Sequence, residues 1–262
     1  MMKVEYGYLQ EQFAPESELT KAILGDIQKE SARGFWTLGP WVEKFEEAFA
    51  EQLKVRYAVG VNSGTAALEL ALLASGVRPG ERVAVPSNSF VASAGAIASI
   101  GAEPYFVDVN DDYLFSWEAI AGNRNPNRKG WDSTMHLLPV HLTGNVVTDL
   151  PQQYYDGSVF DAAQAIGAEY KGVSVAALGQ AACFSLHPLK NINVWGDGGV
   201  VTTNDESFAD EIRLLRNHGL QGRDTVVRPG RNERLHAIQA IVGTHVLKEL
   251  DWLTERRINN AT

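Results

Sequence analysis

Apolar residues recur along the chain with two different periods, and the change between them divides it. Up to about residue 53 the period is helical. Residues 17–31, opening Ser17-Glu18-Leu19-Thr20, read as a capped amphipathic helix. Gly34-Phe35-Trp36-Thr37-Leu38-Gly39-Pro40 breaks the pattern, and residues 41–53 resume it with Phe45, Phe49 and Leu53 on one face. From Tyr57 onward, short apolar runs alternate with small-residue helical stretches. Residues 57–61, 82–86, 104–109 and 135–140 read as strands, as does Ser158-Val159-Phe160, which ends at Asp161. Residues 64–75, 90–100 and 116–121 read as helices between them. This alternation predicts an α/β fold with a mainly parallel central sheet, covered by helices on both faces. Further on, an apolar strand runs into Ser185 and a β-branched one follows Gly199. Residues 205–217 read as a helix, 218–231 as an exposed loop, and Asn232 to Leu250 as a long helix.

In such sheets ligands sit at the carboxyl ends of the strands, so the residues just past each strand carry the candidate chemistry. After Ser185, Pro188 bars a helix and a lone lysine, Lys190, follows on the loop. A lysine at a strand end forms a Schiff base with a carbonyl if its surroundings lower its pKa; the plain alternative is a solvated surface charge. Asn62-Ser63-Gly64-Thr65 joins a strand to a helix, which suits either a phosphate or an ordinary cap. Asp161 follows a buried strand, as a cap or as the partner of a cationic ring nitrogen, with Gln164 on the same side if a helical turn follows. Phe90 follows the strand at 82–86, as core or as a stacking platform.

Composition narrows the classes. The chain has 262 residues, 45% of them hydrophobic, and a net charge of −9. No basic patch advertises nucleic acid, and no apolar run reaches membrane-span length. The one cysteine, Cys183, excludes an internal disulfide and fits a reducing compartment. Met1–Tyr6 has no apolar core of signal-peptide length, so the expected location is the cytoplasm. The histidines show no close ligand pairing, so no metal is expected. Gly196-Asp197-Gly198-Gly199 precedes a strand, unlike a dinucleotide fingerprint, and there is neither a phosphate-loop lysine motif nor a nucleophile elbow. An anion site, a carboxylate, an aromatic platform and an amine are together the four supports that pyridoxal phosphate needs.

The ordered set Phe35–Pro40, Asn62–Leu68, Val107–Val109, His141–Gly144, Asp161–Ala168, Phe184–Asn191, Gly196–Gly199, Leu215–Gly219 and Gly230–Leu235 resembles the DegT/DnrJ/EryC1/StrS family of sugar aminotransferases. That resemblance implies the aspartate aminotransferase-like, fold-type I architecture and pyridoxal 5'-phosphate. Lys190 would bind the cofactor covalently and move the substrate proton. Asp161 would pair with the ring nitrogen, Gln164 would lie by the phenolic oxygen, and Phe90 would stack on the ring. Gly64, Thr65, Ala66 and Ser185 would bind the phosphate, and Asn232 would reach the phosphate of a neighbouring subunit in a homodimer. The implied reaction moves an amino group from glutamate to a keto group of a nucleotide-linked sugar.

Three departures stand out. Leu186 replaces the usual aromatic residue. The segment from Gly144 to Asp161 is short, so a helix there is expected to be reduced or lost. Family members commonly continue for roughly another hundred residues, a normal size for a domain. Residues 1–250 are therefore expected to form the cofactor-binding large domain and 251–262 the start of a small domain that is absent or truncated. Two alternatives follow: a truncated binding or regulatory member, and a sugar dehydratase, against which the presence of Lys190 argues. Arg223, Arg228 and Arg231 are expected either to reach a nucleotide diphosphate or to be solvated.

Overall fold

A computed structural model describes residues 9–122 and 135–261; Met1–Tyr6 lies outside the described residues. Helix α1, Glu18–Ser31, starts where the pattern puts it. Ser17 is extended, and its side chain accepts from the Thr20 N–H, satisfying one of the donors that a helix start leaves unpaired. Helix α2, Pro40–Gln52, opens on a proline, whose missing N–H is harmless in the first turn. Its stripe of Val42, Phe45 and Phe49 is buried.

The central strands are β1 (Tyr57–Val61), β2 (Arg82–Pro86), β3 (Glu103–Val107), β4 (His136–Leu137), β5 (Val159–Asp161), β6 (Ala181–Ser185) and β7 (Gly199–Thr203). Strands β3, β2 and β4 pair in parallel, as do β5 and β6. A parallel bridge between Val140 and Asp161 joins the two groups. The order is β3-β2-β4-β5-β6-β7-β1, with β7 antiparallel to both its neighbours. The sheet is thus mainly parallel, as expected. Strand β7 is the exception because residues 186–198 contain no helix, and a parallel return needs a crossover, usually a helical one. The reversal brings the start of β7 to the same edge as the ends of the other strands.

Successive residues face opposite cores. Ala182, Phe184 and Val200 pack with Phe45, Phe49 and Phe160; Ala181, Cys183 and Val201 pack with Leu70, Val85 and Ile97. Burial on both faces is why these strands read as unbroken apolar runs. Helices α3 (Gly64–Ala74), α4 (Val91–Ser99) and α6 (Glu206–Leu215) cover one face. Helices α2, α5 (Trp117–Gly122) and α7 (Ala237–Leu247) cover the other. Leu186 is fully buried in the core beneath α2.

The long helix expected from Asn232 is corrected. Residues 232–236 run extended along β1, with bridges Asn217 to Asn232, Val61 to Arg234 and Thr37 to His236. Helix α7 begins at Ala237. The physical reason is that neighbours take the backbone groups here. The Asn62 N–H donates to the Glu233 carbonyl, and the Glu233 N–H donates to the Arg216 carbonyl. Residues 218–231 are mostly exposed, as expected, and contain a hairpin of Leu220–Gln221 with Thr225–Val226. Between Gly144 and Asp161 a short helix, Gln152–Asp156, persists. Helix α8, Leu250–Ala261, buries Leu250 and Leu253 against the core beneath α2. No helix among the described residues is long and apolar enough to cross a membrane.

Candidate functional site

The ends of β1, β2, β5 and β6 and the start of β7 border one open cleft. Gly64, Thr65, Phe90, Asp161, Gln164, Ser185 and Lys190 all line it. Thr254, Arg257 and Ile258 of α8 form part of its wall.

The anion-binding end is built by close backbone approach. Ser63 caps α3 by accepting the Ala66 N–H at 3.0 Å. Gly64 and Thr65 precede Ala66 in the first turn, where N–H groups have no intrahelical carbonyl. A Cβ on Gly64 would lie 2.7 Å from Ser185 Cβ, and one on Gly199 would lie 2.2 Å from the Ser63 carbonyl oxygen. Side chains at either glycine would fill the recess. Left open, it presents first-turn N–H groups and the hydroxyls of Thr65 and Ser185, a donor set that fits a phosphate. Ala66 is buried, its N–H is engaged by Ser63, and it does not line the cleft.

The turn carrying Lys190 is pinned by His187. The His187 N–H donates to Ser185 Oγ at 3.3 Å, and its Nδ1 accepts from the Leu189 N–H at 3.3 Å. Its carbonyl accepts from the Lys190 N–H at 2.8 Å. Burial lowers the pKa of the half-buried Lys190 ammonium, and the charge of Asp161 partly opposes this.

Asp161 is buried at the end of β5. The Ala163 N–H donates to Oδ1 at 3.0 Å, and the Ser93 hydroxyl donates to Oδ2 at 2.6 Å. Burial raises the carboxyl pKa, while Ser93, Ala163 and Lys190 pull it down. Beside it, the His141 ring stacks on Phe160 at 4.8 Å. His141 Nδ1 accepts from the Val147 N–H at 3.1 Å, so the neutral ring carries its proton on Nε2. That atom is buried with no partner among the described residues. Burial pushes the His141 pKa down to about 3.

Phe90 stands at the mouth with 69% of its surface exposed, free to cover a flat ligand. Gln164 Oε1 accepts from the Thr143 N–H at 3.1 Å. Asn232 lies outside the cleft of its own chain, exposed on the extended segment. Arg228 pairs with Glu211, and Arg231 pairs with Glu69; neither lines the cleft, and Arg223 is exposed outside it. No group of His, Cys, Asp and Glu among the described residues is arranged to hold a metal. Sequence reasoning passed over Ser93, although a hydroxyl three residues after Phe90, in a helix otherwise small and apolar up to its last residue, Ser99, was a signal. It also passed over the α8 residues.

Residues 17–262 match the DegT/DnrJ/EryC1/StrS aminotransferase family. The chain belongs to that family. It is 34% identical over 267 residues to the "Pleiotropic regulatory protein" of Geobacillus stearothermophilus, covering 100% of this chain and 70% of that one. It is 38% identical over 229 residues to the dTDP-3-amino-3,4,6-trideoxy-alpha-D-glucose transaminase of Streptomyces venezuelae, covering 86% of this chain and 59% of that one. The crystal structure of ntda from Bacillus subtilis with bound cofactor PMP superposes with a TM-score of 0.81 at 26% identity, covering 96% of this chain and 57% of that one. The chain thus spans about three fifths to seven tenths of the length of these relatives.

Proposed function

We propose that this chain is the cofactor-binding part of a pyridoxal phosphate-dependent aminotransferase, which moves an amino group from glutamate to a keto group of a nucleotide-linked sugar. The observation that carries this reading is the cleft itself. A buried carboxylate, a lysine of lowered pKa electrostatically coupled to it, an exposed aromatic ring and an N–H-rich helix start border one space. Each matches one part of the cofactor. Bound there, pyridoxal phosphate supplies a reactive carbonyl carbon and an electron sink.

The chain's own residues then divide the work. Gly64, Thr65 and Ser185 hold the phosphate. Asp161 keeps a proton on the ring nitrogen, and Phe90 covers a ring face and excludes water. Gln164, which lines the cleft, would face the phenolic oxygen. Lys190, biased by burial towards its neutral nucleophilic form, anchors the carbonyl carbon and carries a proton to and from the substrate carbon. Asn232, exposed beside β1, completes the phosphate site of a partner in a homodimer. In the same reading residues 1–250 are the large domain, residues 251–262 lead into a smaller one, and the location is the cytoplasm. The match to a relative named as a regulatory protein, which extends over this whole chain, favours a second reading in which the cleft binds without turnover.

Added pyridoxal phosphate is expected to give an absorbance band near the visible edge that borohydride fixes to the protein, and Lys190→Ala is expected to abolish both. Absence of both in the wild type rejects the cofactor site. A fixed cofactor with no transfer of labelled nitrogen from glutamate to a keto sugar supports the regulatory reading, and loss of water without nitrogen incorporation supports a dehydratase.

A further inference from the structure

Asp161 lies at the end of a chain of two hydroxyls. Ser89 Oγ and Ser93 Oγ are 2.7 Å apart, and Ser93 Oγ is 2.6 Å from Asp161 Oδ2. Ser93 has no exposed surface, whereas Ser89 lines the cleft. Each hydroxyl has one proton to donate, and an ionised carboxylate only accepts. Ser93 therefore donates to Asp161, which leaves it to accept from Ser89. The polarity of the relay is set: Ser89 to Ser93 to Asp161. A protonated carboxyl would permit the reverse order, so the relay and the charge on Asp161 are coupled. The 2.6 Å separation lies in the range of charge-assisted O–H···O⁻ bonds.

We propose that Ser93, oriented by Ser89, is a positioning residue that holds Asp161 ionised at the cleft so that it can face a cationic ring nitrogen. This rests on reading the cleft as a pyridoxal phosphate site. The groups around Asp161 leave this task to few candidates. The Lys190 charge also favours the ionised form, but through space and less than the two hydrogen bonds do. His141 is neutral and meets it through the backbone. Cys183, its register partner on β6, is a buried thiol whose pKa is raised. The Ala163 N–H holds Oδ1, and Ser93 holds Oδ2. Removing the Ser93 hydroxyl leaves the desolvation of the carboxylate less opposed. A proton shared between ring nitrogen and carboxylate then moves towards the carboxylate.

The test compares wild type with Ser93→Ala, Ser93→Thr and Ser89→Ala. Alanine in a helix interior is well tolerated, and threonine retains the hydroxyl. In the cofactor-free protein, carboxylate NMR follows the Asp161 titration, with the signal assigned by its loss in Asp161→Asn. The pH of protonation is expected to rise in Ser93→Ala, rise less in Ser89→Ala, and stay near wild type in Ser93→Thr. With nitrogen-labelled pyridoxal phosphate bound, the ring-nitrogen signal of Ser93→Ala is expected to move towards the unprotonated value. An Asp161 titration unchanged in Ser93→Ala overturns the proposal. A wild type that binds no pyridoxal phosphate overturns the reading of the cleft, while the cofactor-free titration still decides the role of Ser93.

Discussion

At the scale of single residues, the cleft combines groups whose charges depend on burial. Asp161 is the most exposed to test. If its carboxylate holds the proton that makes the cofactor ring an electron sink, Asp161→Ala should lower turnover by about 10²–10³-fold, the usual effect of removing one preorganised electrostatic partner. Asp161→Asn should do nearly as much, because it keeps the shape and loses the charge. Steady-state rates beside a thermal melt distinguish this from misfolding; near wild-type turnover removes Asp161 from the chemistry. His141 makes a different prediction. Its pKa is about 3 in the folded protein, against an ordinary 6.5. Between those values the unfolded chain binds a proton that the folded chain does not, so folding stability falls as pH drops from about 6.5. The contribution to the slope is about 1.4 kcal/mol per pH unit. Urea unfolding from pH 7 to 5 should show a shallower pH dependence in His141→Asn than in wild type. Equal slopes would mean that the ring protonates without unfolding. Both residues open motifs that were visible in the sequence, but their burial was not, because it depends on which distant strands flank β5.

At the scale of elements, legibility followed the range of the interaction. Helix α1 and the β1–α3 turn were legible because their signals are local: a serine cap and a change of period. The helix expected over 232–250 was wrong at its start, because Asn232 to His236 pair with Asn217, Val61 and Thr37, none of which is close in sequence. The antiparallel run of β7 follows instead from a local feature, the helix-free connection of residues 186–198. A buried ion pair ties these elements together. Glu46 on α2 accepts from Arg216 and, at 2.7 Å, from the Gly60 N–H, while Arg216 also donates to the Gly60 carbonyl at 2.6 Å. Both side chains are 9% exposed. The pair therefore fixes the strand that leads into the anion-binding turn. Removing one partner of a buried pair leaves a charge uncompensated, at a cost of about 3–5 kcal/mol. Glu46→Gln should show a loss of that order in denaturant unfolding; a loss below 1 kcal/mol would make the pair dispensable. Ser63→Ala, which removes only the cap of α3, should cost about 1 kcal/mol.

At the scale of the whole molecule, the prediction that matters most concerns Asn232. It is exposed and outside its own cleft, on a segment stitched to β1 directly beside the anion-binding turn. Asn232 does not cap a helix, because α7 starts at Ala237; its place in its own chain is a backbone bridge to Asn217, which any side chain permits. If Asn232 instead completes the phosphate site of a second copy, cofactor binding and self-association are linked by mass action. A twofold arrangement gives two equal sites, each borrowing one Asn232. Cofactor affinity should then fall as the protein is diluted through its dimer dissociation range, with sedimentation reporting the monomer over the same range. Asn232→Ala should weaken cofactor binding at high protein concentration and leave the melting temperature without cofactor nearly unchanged. Pyridoxal, which lacks the phosphate, should bind wild type and variant alike. A monomer that binds pyridoxal phosphate tightly and ignores Asn232→Ala would defeat the shared site while leaving Lys190 and Asp161 in place. A dimer with unchanged affinity in the variant would assign the interface to other residues and return Asn232 to a backbone role.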